Sequence, residues 1–116
     1  MEIVSTCNNG ITTLEIKGNL VGSSNNLLNE ELLKLTEQEN IRLIINLSHV
    51  AQLDSYALGI LASTGSEIQH KGGDLKFVEL QPFVATLFNM MRMNDIFDIY
   101  ATYDEAVSSF GSDQTE

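Results

Sequence analysis

The sequence has little of what would place a chain outside the ordinary globular proteins. It contains one cysteine, Cys7, so no internal disulfide can form and a reducing compartment is the simpler expectation. It contains one proline, Pro82, and no tryptophan. With 43% hydrophobic residues, a chain so poor in proline reads as folded rather than disordered. No apolar run approaches the ~18 residues a membrane helix needs, and the amino end lacks a basic stretch followed by an apolar one. A cytoplasmic chain without membrane insertion is therefore expected. Basic residues are scarce as well: six Lys and Arg stand against sixteen Asp and Glu, a net charge of −10. That balance opposes nucleic acid and anionic membranes and favours steering of a basic protein partner.

Catalytic and metal-binding signatures are equally sparse. There is no Gly-rich lysine loop for a nucleotide and no Gly-x-Ser-x-Gly elbow for a hydrolase. Cys7, His49 and His70 lie too far apart in sequence to suggest zinc spacing. Ser55, His49 and Asp54 are the only candidates for a nucleophile, base and orienter, and no second carboxylate or oxyanion donor set accompanies them. The expectation is a binding protein rather than an enzyme, with neither metal nor cofactor.

What is present is a regular alternation of strand and helix patterns. Ile3–Cys7 and Ile11–Ile16 flank Asn8-Asn9-Gly10, and Asn-Gly between two β-rich runs is a strong hairpin signal because both residues accept positive φ. Cys7, beside that turn, reads as a small strand residue. After Gly18-Asn19-Leu20-Val21-Gly22, the group Ser23-Ser24-Asn25-Asn26 offers caps for a helix whose stripe is Leu28, Leu32 and Leu35, with Glu30 and Glu31 near its favourable amino end. Ile41–Leu47 is a nearly continuous apolar run, the pattern of a strand covered on both faces.

Around the next segment, Leu53-Asp54-Ser55-Tyr56-Ala57-Leu58-Gly59, the rest is organised. Asp54 is suited to cap a helix with its carboxylate, Ser55 sits at the helix start, and Leu58, Leu61, Ala62, Gly65 and Ile68 form the inward stripe. Gly72-Gly73 should end that helix. Asp74–Leu80 alternates polar and apolar and predicts a strand with one more exposed side. Pro82 suits the first turn of a helix carrying Val84, Leu87, Phe88 and Met91; Met90, Met91 and Met93 read as core filler, with an adaptable binding surface as the other reading. A last strand, Phe97–Tyr100, precedes a capping box of Thr102 and Glu105 and a helix facing inward with Tyr103, Ala106, Val107 and Phe110. Together these predict an α/β fold: a single domain over 1–110, a mainly parallel sheet entered through an antiparallel hairpin, about four helices, and a polar tail, 111–116, that frays. Function in such folds usually lies on loops at the carboxyl ends of strands, which is where Ser55 falls.

Read together in their order, Asn46-Leu47-Ser48, Leu53-Asp54-Ser55, Gly72-Gly73-Asp74-Leu75, Pro82-Phe83-Val84, Leu87-Phe88, Ile96–Tyr100 and Glu105-Ala106-Val107 resemble the STAS domain, in particular the stand-alone anti-sigma factor antagonists of bacteria. The resemblance spans nearly the whole chain. It implies that Ser55 is the phosphorylated position, that an anti-sigma factor serine kinase is the partner and a separate phosphatase reverses its action, and that the docking surface includes Asn19, Asp54, Ser55, Tyr56, Leu58 and Gly59. It implies no metal, no cofactor and a monomer or weak dimer. Family members usually carry acidic residues in the loop around Asn19 and Val21, and this sequence has none there. The other reading is a STAS-type adaptor or assembly module, in a transporter-associated or signalling complex, in which Ser55 merely starts a helix.

Overall fold

The computed structural model describes residues 1–113, with side chains through Phe110. Its first hairpin joins β1 (Glu2–Asn8) to β2 (Ile11–Lys17), pairing antiparallel from Glu2–Lys17 to Asn8–Ile11. Asn9 and Gly10 both take positive φ, 54° and 80°, as a two-residue turn matched to the strand twist requires. From there the chain alternates: α1 (Asn25–Thr36), β3 (Arg42–His49), α2 (Ser55–His70), β4 (Asp74–Val78), α3 (Pro82–Met90), β5 (Asp98–Tyr100) and α4 (Tyr103–Asp113). The sheet runs in chain order, β1-β2-β3-β4-β5, and every pair after the first is parallel. Because the order never reverses, successive crossovers of one hand place α1, α2 and α3 on one face.

That face holds the main core, where Leu28, Leu32, Leu61, Ile68, Val84 and Phe88 pack on Leu43, Ile45, Leu75 and Phe77. Phe77 is flanked edge-on by Phe88 and Phe97, with centroids 5.0 and 5.6 Å away, the geometry that ring quadrupoles favour. On the opposite face α4 seats Ala106 and Phe110 against Ile11, Ile44 and Val78. β3 is therefore covered on both sides, as its apolar run predicts.

Local chemistry explains the element ends. Thr102 and Glu105 form the expected reciprocal box, each backbone amide donating to the other side chain at 3.3 and 3.2 Å. At the end of α2, Gly72 turns to φ +84°; its amide donates to the Gln69 carbonyl and that of Gly73 to the Ile68 carbonyl, a complete Schellman closure.

Other expectations need correction. β4 does not keep an exposed side: Lys76 is only 2% exposed, because α4 lies over it. The ammonium is tolerated there by Asp74 and Asp98, at 3.1 and 3.0 Å, and by the Phe110 ring, 4.7 Å away. Burial, the largest influence, pushes its pKa down, but the hydrogen bonds it donates to Asp98 and Asp74, together with their negative charges, outweigh it and leave the value above the ordinary 10.5. Glu30 and Glu31 are not in the first turn of α1, which begins at Asn25; Glu31 pairs instead with Lys34 at 3.1 Å. Of the methionines only Met93 fills the core, whereas Met90 and Met91 are 70% and 56% exposed. α4 runs to Asp113; the expected fraying of 111–116 falls in part on residues 114–116, which lie outside the described residues.

α2 buries more than the narrow stripe its spacing predicts, adding Ala57, Ile60 and Thr64, because it packs on α1 as well as on the sheet. Gly65 is where it comes closest to the sheet: a methyl group there would run into the Phe97 ring and Leu75. At Gly59 the same position is open space. Gly65→Ala should therefore lower stability by about 1–3 kcal/mol through overpacking, whereas Gly59→Ala should raise it by up to about 1 kcal/mol through helix propensity. Urea unfolding of the two variants checks both signs.

Candidate functional site

Two loops at the carboxyl end of the parallel strands are zipped together by backbone bonds. The Gly18 amide donates to the His49 carbonyl (3.2 Å), that of Leu20 to Gln52 (3.0 Å), and that of Asp54 back to Leu20 (3.0 Å). Leu20 and Leu53 form an isolated parallel bridge and are both buried. Asn19 locks the pair from the surface, its Oδ1 accepting from the Ala51 and Gln52 amides at 3.1 Å each. The β2–α1 loop thus sets the position of the β3–α2 loop, and with it the start of α2.

Asp54 is the junction. It is extended (φ −100°, ψ 175°) and caps α2, Oδ1 accepting from the Ala57 amide at 2.9 Å, the N-cap bond expected of it. The same oxygen accepts from Asn25 Nδ2 at 2.9 Å, and Oδ2 accepts from the Gly22 amide at 3.0 Å. Three elements therefore meet on one carboxylate. Asn25 is fully buried at the start of α1; it and its neighbours were candidates to cap α1, but no side chain does so, and Asn25 faces the next helix instead. Among the described residues its Oδ1 is a buried acceptor with no donor, which raises the importance of the bond its Nδ2 makes. Gly22 reaches Asp54 because it adopts φ +55°, a conformation glycine enters without strain.

Because Asp54 does the capping, the Ser55 hydroxyl has no hydrogen-bond partner among the described residues. Ser55 is the first residue of α2 and is exposed, and its amide and that of Tyr56 have no intrahelical acceptor. Tyr56 is 60% exposed, and Gly59 and Asn19 also lie at the surface. Leu58 does not: at 4% exposure it belongs to the core, as its place in the inward stripe demands. His49 pairs with Glu15 at 3.4 Å. Among the described residues no hydrogen bond joins His49 to Asp54 or Ser55, so the three do not form a relay, and no cluster of His, Cys, Asp and Glu is placed to hold a metal ion. Nor, among those residues, is any helix long and apolar enough to cross a membrane.

Asn25 and Gly22 are the participants that sequence reasoning missed. Their contacts to Asp54 span 29 and 32 positions, and only the cap-rich run after Gly22 hinted at them.

The amides of Gly22 first and Ala57 next, with the Asn25 side chain, outweigh partial desolvation and hold the Asp54 carboxyl below its ordinary value of 3.8. A carboxyl depressed by folding stabilises the fold above its unfolded pKa and loses that contribution as pH falls through the folded one. Asp54→Asn should therefore melt at a lower temperature than the parent by a constant margin above about pH 5, narrowing below about pH 4. Paired melting curves from pH 7 to pH 3 test this; a margin unchanged at pH 3 would contradict it.

Comparison with known proteins agrees with this geometry. The STAS domain family model matches residues 2–106. The anti-sigma-B factor antagonist of Bacillus subtilis (strain 168) is 33% identical over 94 residues, 81% of this chain and 85% of that protein. Among solved structures, an anti-sigma factor antagonist from Mycobacterium paratuberculosis superposes with a TM-score of 0.85 at 21% identity, covering 93% of this chain and 92% of that one. The Bacillus cell fate determinant SpoIIAA in its phosphorylated form gives 0.74 at 14%, covering 94% and 99%. With the two loops, the capped helix and the five-stranded sheet all in place, the chain belongs to the STAS domain family, among the anti-sigma factor antagonists.

Proposed function

We propose that this protein, in its unmodified form, binds an anti-sigma factor kinase through the zipped loops and the amino end of α2, and so frees a sigma factor. The kinase uses ATP to phosphorylate Ser55, which ends the interaction, and a separate phosphatase restores it. The supporting observation is the division of labour at the start of α2: Asp54 holds the cap, and the exposed Ser55 hydroxyl is unencumbered. That the similar SpoIIAA is known in a phosphorylated form agrees with this reading.

The physics of the switch is local. A phosphoryl group adds about −1.5 to −2 charge at the helix start, where free amides and the helix dipole can hold it. The Asp54 carboxylate next door repels it, and the group must be desolvated when a partner covers it. Binding weakens while the fold stays. No catalysis by the protein itself is invoked.

The test is mass spectrometry after incubation with the anti-sigma factor kinase of the same host and ATP, with titration of each form against that kinase. Phosphate should appear on Ser55 alone and weaken binding at least about tenfold, or 1.4 kcal/mol. Ser55→Ala should bind and resist modification, and Ser55→Asp should bind with intermediate strength. Modification at Ser48 or Tyr56 would misplace the site, and equal affinity of both forms would favour the adaptor reading.

A further inference from the structure

The chain carries −10 overall, yet its charge is unevenly placed. Four stretches, 18–29, 43–53, 55–66 and 80–91, contain no Asp, Glu, Lys or Arg. They supply the β2–α1 loop with the start of α1, all of β3 but its first residue together with the loop after it, the first three turns of α2, and the whole of α3. Their loops and helix starts lie at the carboxyl end of the parallel strands, where α2 and α3 both begin, and the Gln81 side chain ties the start of α3 to the Ser48 carbonyl at 2.7 Å. The one charge inside this region is Asp54, whose two oxygens are engaged by Gly22, Asn25 and Ala57.

Resting on the reading that a kinase docks here, we infer that this face recognises an uncharged, apolar partner surface with Tyr56 as its anchoring side chain, and that the protein's acidity neither steers nor holds the contact. Three exposed apolar side chains stand on three elements at this end: Val21 at 41%, Tyr56 at 60% and Phe83 at 53%. Tyrosine offers a large contact at small rotamer cost and is enriched among residues that dominate binding energy. The acidic residues lie elsewhere. Glu67 is 12 positions along α2 from Ser55, about 18 Å at 1.5 Å per residue, which is more than two screening lengths at physiological salt. Among the described residues, Glu79, Lys17 with Glu2 opposite it in the hairpin, and the Glu15–His49 pair lie at the edge of this end.

A neutral face also sharpens the switch. On an acidic surface a phosphate would be one more charge among many, already matched by a basic partner. Here it would join the single Asp54 carboxylate, whose donors are neutral amides, in an otherwise apolar contact, where desolvation costs most.

The experiment measures association of the unmodified protein with the host's anti-sigma factor kinase at about 50 and 500 mM salt, for the parent, Tyr56→Ala and Tyr56→Phe. The on-rate should change less than about threefold across that range, where steered pairs change by tenfold or more. Tyr56→Ala should weaken binding at least about thirtyfold and Tyr56→Phe less than about threefold, with circular dichroism unchanged because the side chain is exposed. A tenfold or larger fall of the on-rate with salt, or a Tyr56→Ala affinity within twofold of the parent, would overturn the inference while leaving the kinase reading intact. No binding at either salt would overturn both.

Discussion

The site depends on one carboxylate. Asp54 accepts three hydrogen bonds, from the Gly22 amide, the Asn25 side chain and the Ala57 amide, and each belongs to a different element. The first two fix the β2–α1 loop and α1 against the β3–α2 loop; the third starts α2. Neutralising Asp54 would loosen all three at once, because each donor is held by charge-assisted bonding. Everything proposed for Ser55 follows from this arrangement, since a serine that had to cap its own helix could not also offer a free hydroxyl.

The two faces of the sheet divide the work differently. Three helices on one face make the main core and deliver two loops and two helix starts to the same end. The other face is closed by α4 alone, over a buried ammonium held by Asp74 and Asp98 and lying under the Phe110 ring. Lys76 is thus matched by two carboxylates, whereas Asp54, at the end where α2 begins, is held by neutral donors alone.

What could be read from the sequence was chemistry confined to a few neighbouring residues. The Asn9-Gly10 turn, the Thr102–Glu105 box, the Gly72 closure and the Asp54 cap each follow from dihedral preferences or bonds within five positions, and the parallel sheet follows from the alternation of patterns. Resemblance supplied the remainder of the fold. What escaped depends on contacts between distant segments. Lys76 looks like a solvent-facing position until α4 is laid over it, and Asn25 looks like a cap for its own helix until Asp54 is brought beside it. Leu58 shows the converse: Tyr56 and Gly59 on either side of the Ala57–Leu58 pair are at the surface, yet helical periodicity turns the Leu58 side chain inward. Gly22 matters through its backbone, which no side-chain pattern reports.

The central claim is that a phosphate on Ser55 changes the surface and leaves the architecture as it is, because Asp54 keeps its three bonds. Comparing the amide nuclear magnetic resonance spectra of the unmodified and Ser55-phosphorylated protein tests this most directly. The account predicts shifts confined to Gly22, Asn25 and the first turns of α2, with the Ala57 amide still protected and the amides of β1, β4 and α4 unmoved. Shifts spread across the sheet and α4, or loss of protection at Ala57, would contradict it.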